Sequence, residues 1–181
     1  MFGFFKEMKQ IKKSIEEYKQ NQRRYLEMPS AELKTLTDDE LFQAVLARTG
    51  DKVDHYDSLL DGVGSLTHAE QVFYVTSYYE MEVNNGGLCQ FFTNASRDLA
   101  PLLADCLDEI PAADHKALFE RFVRENEIDV NDLSSFIIDD VEDFETQAER
   151  YPFDAFDSAF YQLKPIQDYL PPYVRRHISE F

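Results

Sequence analysis

Tryptophan is absent, and 181 residues contain only two cysteines, six glycines and seven prolines. Cys89 and Cys106 have neither CxxC spacing nor the numbers for a disulfide framework, which argues against a zinc ribbon or a stapled secreted module. With so little Gly and Pro, the chain lacks the punctuation of a many-turned β protein. No apolar run approaches the ~20 residues of a membrane span. The opening Met-Phe-Gly-Phe-Phe-Lys is too short for a secretory signal, and its Lys follows the apolar residues instead of preceding them. A cytoplasmic protein is the expectation. Basic residues are the other shortage: 18 Lys and Arg face 35 Asp and Glu, for a net charge of −17. Such a surface repels nucleic acid and anionic lipid, so direct nucleic-acid binding and membrane association are not expected. It attracts cations, basic proteins above all.

What is present is a core. Fifteen Phe, ten Tyr and a 44% hydrophobic share are enough for one sizeable domain. Residues 1–28 differ from the rest. Seven Lys and Arg against four Glu leave them at +3, so residues 29–181 carry −20. Phe4, Met8, Ile11, Ile15, Tyr18, Gln22 and Tyr25 step by four and three, a heptad seam with one polar member. It reads as a basic amphipathic helix that packs on its own domain, on a twin or on a partner. Phe2, Phe4 and Phe5 also suit a helix lying on a membrane surface.

Met28-Pro29-Ser30 ends that helix. Thr37-x-x-Glu40 is a capping box opening a helix to about Arg48, closed by Thr49-Gly50. A segment from Lys52 to Leu60 reads as helix, broken by Gly62-Val63-Gly64. Thr67-x-x-Glu70 is a second capping box, starting a helix to about Val83. Tyr79, Met81 and Val83 also alternate with polar residues before an Asn-Gly, which is a hairpin signal, but box and period together favour helix. Further helices are expected over Arg97–Leu107, from Ala112 to about Asn126, from Ser134 or Ser135 to Tyr151, and from Pro152 with Phe153, Phe156 and Phe160 inward. A last one begins at Lys164-Pro165 and breaks at Pro171-Pro172. The class is mainly α: a single multi-helical domain with an appended amino-terminal helix.

The densest stretch is Glu80-Met-Glu82-Val-Asn84-Asn85-Gly86-Gly87-Leu-Cys-Gln90-Phe91-Phe92-Thr-Asn94. Its Gly pair reads as a break between two elements, and its polar side chains as partners for the backbone groups the break frees. Glu82, Asn85, Gly86, Gly87, Gln90, Phe91, Phe92 and Asn94 form a Glu-x-x-Asn-Gly-Gly-x-x-Gln-Phe-Phe-x-Asn pattern. That pattern resembles the central motif of the bacterial DNA-mimic protein 19-like family, and the resemblance covers about residues 35–165. It implies a helical acidic domain and, in one characterised branch, mimicry of DNA toward a DNA-binding protein.

Acid is concentrated in residues 98–161, which hold 18 Asp and Glu against Lys116, Arg121, Arg124 and Arg150. Ile137, Val141, Phe144 and Ala148 form a core stripe of one expected helix, and Asp139, Asp140, Glu142, Asp143, Glu145 and Glu149 occupy its remainder. Asp139–Asp143 and Glu145–Glu149 are like-charge pairs four apart, each costing ~0.2–0.5 kcal/mol. Carboxylates so spaced lie about 6 Å apart, near the phosphate spacing of a nucleic-acid strand. These six, helped by Asp105, Asp108 and Glu109, are the expected partner surface.

Catalytic signals are missing. Asp129-Val-Asn131-Asp132 lacks the Gly and the Glu of a calcium loop. His55, His68, His115 and His177 have no ligand spacing. No phosphate-binding loop or nucleophile elbow occurs. Glu80 and Glu82, two apart, point to different sides of a helix and make a poor acid–base pair. The chain therefore reads as a binding protein without metal or cofactor. Two alternatives stand beside it: a ligand or enzymatic pocket built from Glu80, Glu82, Gln90 and Asn94, and a scaffold that dimerises through residues 1–28.

Overall fold

The computed structural model describes the backbone of residues 2–181; the side chains of residues 1–9 and 141 lie outside the described set. Nine α-helices and short 3-10 turns make up its regular structure, and the described residues include no strand. The hairpin alternative at Asn85-Gly86 is thereby excluded. α1 (Phe2–Glu27) leads to α2 (Asp38–Val53), α3 (Leu59–Gly64) and the long α4 (His68–Thr93). Then come α5 (Ala100–Glu109), α6 (Ala113–Glu125), α7 (Val141–Arg150), α8 (Phe153–Phe160) and α9 (Leu170–Arg176).

α4 is the axis, because α2, α3, α5, α7, α8 and α9 all pack on it. Its residues Val72, Phe73, Val75, Tyr79, Val83, Leu88, Phe91 and Phe92 are fully buried. Phe92 lies 5.0 Å from Phe136 and Tyr79 lies 5.1 Å from Phe91, centroid to centroid. Such aromatic pairs each add about 0.5–1.5 kcal/mol beyond area burial. Both capping boxes form: Thr37 with Glu40, and Thr67 with Glu70.

Several boundaries differ from the expectation. α2 does not close at Thr49-Gly50; buried Thr49 bonds back to the Val45 carbonyl and the helix runs on to Val53. No helix spans Lys52–Leu60, since α2 ends and Ser58 caps α3 instead. Gly62 and Gly64 lie inside α3, where the Gly62 backbone rests against Val53 too closely for a side chain. The helix expected to end near Val83 runs on to Thr93 across a kink. Residues 95–99 form a 3-10 turn before α5. α7 starts at Val141 under an Asp140 cap; Ser134 and Ser135 open only a 3-10 turn. Pro171 and Pro172 occupy the first turn of α9, where a missing N–H costs nothing, so they start a helix rather than break one.

Among its described members the seam of α1 is largely uncovered: Ile11 and Ile15 are about half exposed, while Tyr25 is buried. The seam members Phe4 and Met8, and Phe2 and Phe5, on which the expected membrane contact rests, lie outside the described side chains. Arg48 secures the carboxy-terminal end of α1, donating from Nε to the Tyr25 carbonyl at 3.0 Å and from Nη2 to that of Met28.

Candidate functional site: a broken helix beside an acidic groove

The kink in α4 falls on the Gly pair. Gly86 has φ −156° and ψ 25°, and Gly87 has φ 77° and ψ 177°. The second value lies in the left-handed region, open to Gly at little cost. A break of this kind leaves backbone groups without intrahelical partners. Two residues of α8 and its end supply them. Asp157 Oδ1 accepts the Leu88 N–H at 2.9 Å, capping the second limb of α4 from outside. Tyr161 donates its hydroxyl to the Val83 carbonyl at 2.8 Å. Glu80, buried six residues before Gly86, accepts the Ile166 and Gln167 N–H groups at 2.6 and 2.8 Å.

The motif's own polar side chains do something else. Gln90 and Asn94 both donate their amides to Glu82 Oε2, at 2.7 and 2.9 Å. The expectation that they satisfy the broken backbone is therefore corrected: they brace one limb of α4 against the other. Glu80 and Glu82 do diverge, one inward and one outward. Asn84 and Asn85 are exposed at the kink, and Phe91 and Phe92 are core.

Burial pushes the Asp157 carboxyl above its usual range; the Leu88 N–H opposes this and the charge of Asp154 adds to it. The native state thus holds this proton to a higher pH than the unfolded chain, so stability falls as pH rises from about 4 through the folded value. Measured as wild type minus Asp157→Asn, unfolding free energy should decrease between about pH 4 and pH 7. A difference that stays flat or rises refutes the assignment.

Beside this brace, Gln90, Asn94, Ile138, Asp139, Asp140 and Phe144 line an open groove of about 490 Å³. Asp139, Asp140, Glu142, Asp143, Glu145 and Glu149 are all exposed, and among the described residues none of them pairs with a base. Their local roles differ. Asp140 is the cap of α7, accepting the Asp143 N–H at 3.0 Å, and Asp143 accepts the Asp139 N–H at 3.0 Å. Asp139 precedes the helix, so the expected Asp139–Asp143 pair on one helix face does not form. Asp140, Glu142 and Asp143 sit where a helix dipole favours negative charge. Glu145 and Glu149 lack that support: they are four apart, and Glu149 lies at the end that favours positive charge. Ile137, expected in the core stripe, is 57% exposed because it lies ahead of α7. Phe144 and Ala148 do pack on the core, and Val141 is outside the described side chains.

Asp105, Asp108 and Glu109 stand apart from this groove. Asp108 pairs with Lys116 at 3.0 Å and Glu109 with His68 at 3.5 Å, at the amino-terminal end of α4. Burial pushes the Cys89 thiol up to about 11 and the Cys106 thiol to about 12, with nearby carboxylates adding to each, so neither offers a thiolate at neutral pH. Buried His115 hydrogen-bonds the Lys164 carbonyl at 2.8 Å, and burial lowers its pKa. Among the described residues no group of three or more His, Cys, Asp or Glu is arranged to hold a metal, and no helix is long and apolar enough to cross a membrane.

Residues 64–177 match the family described as DMP19-like protein. The chain belongs to that family. The match starts at Gly64, the last residue of α3, and reaches the end of α9, so it lies further toward the carboxy terminus than the expected 35–165, and α1, α2 and the rest of α3 fall outside it. No curated protein and no solved structure matches the chain. Within the DMP19-like match lie the kink, the brace, its outside caps Asp157 and Tyr161, and the acidic groove. No sequence pattern singles out Asp157 and Tyr161 as site residues; a spare acid and a hydroxyl on or beside the expected α8 are their only sequence signal.

Proposed function

We propose that this chain captures a basic protein on the acidic face of α7 and the adjoining groove, occupying the surface with which that protein binds DNA. The observation that carries this reading is the uncompensated charge of Glu145 and Glu149. Both are exposed, they repel each other, and neither helix capping nor an ion pair accounts for them. Membership of the DMP19-like family supports the same direction. The groove brings Asp139 and Asp140 beside the motif amides Gln90 and Asn94, giving a cationic side chain both charge and hydrogen-bond acceptors.

The test is a double reversal, Glu145→Lys and Glu149→Lys, which spares Asp140, Glu142 and Asp143 and so the start of α7. The immobilised chain should retain basic DNA-binding proteins from cytosol at low salt, release them at high salt, and lose them to competing duplex DNA. The reversed variant should retain none, with its thermal midpoint shifted by only a few degrees. Undiminished capture by the variant, or capture indifferent to duplex DNA, refutes the proposal.

A further inference from the structure

On a different side of α4, outside the acidic groove, lies a cavity of about 350 Å³ between α1, α2 and α4. Tyr74 and Tyr78 form its wall, with centroids 5.4 Å apart and an interplanar angle of 24°. Tyr18 of α1, 62% exposed, and Met81, 46% exposed, flank it. Exposed Asp51 and Asp54 stand on the α2 side. Gly50 contributes no side chain to the lining, and a Cβ added there would meet nothing within 4 Å.

Aromatic rings beside carboxylates and a thioether suit one kind of guest. A quadrupole attracts a cation that sheds some of its water, and Tyr faces do this for ammonium groups. Asp51 and Asp54 supply charge, while Met81, Leu26 and Leu46 supply apolar contact for an alkyl chain. A bare divalent ion gains nothing from the rings or the apolar wall. An anion is excluded by the carboxylates and by the net charge of −17. We infer that this cavity is a binding site for an alkylammonium group. The group is carried either by a free polyamine or by a lysine side chain of another protein. The site does not depend on the α7 reading, since it shares no residue with that face.

The full-length chain, labelled at its methionine methyls, would be titrated with spermidine, with N-acetyl-lysine methylamide and with magnesium, following the Met81 signal by NMR. Met81→Leu identifies that signal. A saturable shift with at least one of the two ammonium probes is expected, and none with magnesium. Affinity should fall about tenfold in Tyr78→Leu and in Asp54→Asn. It should vanish in Gly50→Phe, which adds a ring to the lining at a position that contributes no side chain. Glu125→Gln, an equal change of charge at the exposed end of α6, should leave affinity as it was, and far-ultraviolet circular dichroism should show all four affinity variants folded. Tighter binding of spermidine assigns a free polyamine; tighter binding of the lysine amide assigns a protein side chain. The inference is overturned if neither ammonium probe saturates, if magnesium acts as well, or if Glu125→Gln weakens binding as much as Asp54→Asn.

Discussion

Replacing Gly87 by Ala should be among the most damaging single-methyl changes available to this protein. Two independent costs fall on the same atom. Residue 87 has φ 77°, where a side chain is strained, at about 1–3 kcal/mol. A Cβ there would also land on the carboxylate of Asp157, the group that caps Leu88. Forcing them apart costs about 1–3 kcal/mol more. A total of about 2–6 kcal/mol should lower the thermal midpoint by roughly 5–20 °C for a chain of this length. Adding Asp157→Ala should relieve the contact but not the backbone strain, so the double variant should be more stable than the sum of the two singles implies. Gly50→Ala is the matched control. It lies inside α2 with open space around it, and should leave stability unchanged or raise it by about 0.4–1 kcal/mol. Equal losses at positions 50 and 87 would show that the kink has no special need of its glycine.

Glu80→Ala should cost nearly as much for a different reason. Its carboxylate is the acceptor for both the Ile166 and Gln167 N–H groups, one of them in a fully buried setting. Truncation leaves two donors unsatisfied at about 1–3 kcal/mol each, so a loss of about 2–5 kcal/mol is expected by chemical denaturation. Glu80→Gln should fall between, since an amide oxygen can accept one N–H while its NH₂ opposes the other. Glu82→Ala provides the contrast. Its carboxylate meets only side-chain amides at the surface, and its loss should cost about 1 kcal/mol or less. If Glu82→Ala proves the more destabilising of the two, the division between an inner cap and an outer brace is wrong.

These two sites show where the sequence is legible and where it stops. Thr37 with Glu40 and Thr67 with Glu70 announce their helices because both partners lie within one turn of each other. The all-helical class and the buried stripe of Phe153, Phe156 and Phe160 follow from periodicity in the same way. The kink's true supports do not. Asp157 stands 69 residues from Leu88, Tyr161 stands 78 from Val83, and Glu80 stands 86 from Ile166. No local pattern marks such pairs. The motif stands out in the sequence, but its pattern points to the wrong side chains, because amides near a break look like caps for it. Punctuation misled elsewhere. Gly50 lies inside α2, whose other residues carry the helix past it to Val53, and Pro171 opens a helix that the pattern alone would have it end. The acids of α7 could be counted but not sorted. Only the helix start at Val141 separates those that stabilise the first turn from Glu145 and Glu149, which do not.

The distant anchoring of α4 bears on how the chain is made. Glu180 reaches its first turn, accepting the Ala69 N–H and, through its carbonyl, the Thr67 hydroxyl. Asp157 and residues 166–167 hold its middle. During synthesis α4 emerges long before any of these. A nascent chain must carry that apolar flank uncovered until the downstream segments leave the ribosome, a window in which chaperones rather than native contacts keep it from aggregating.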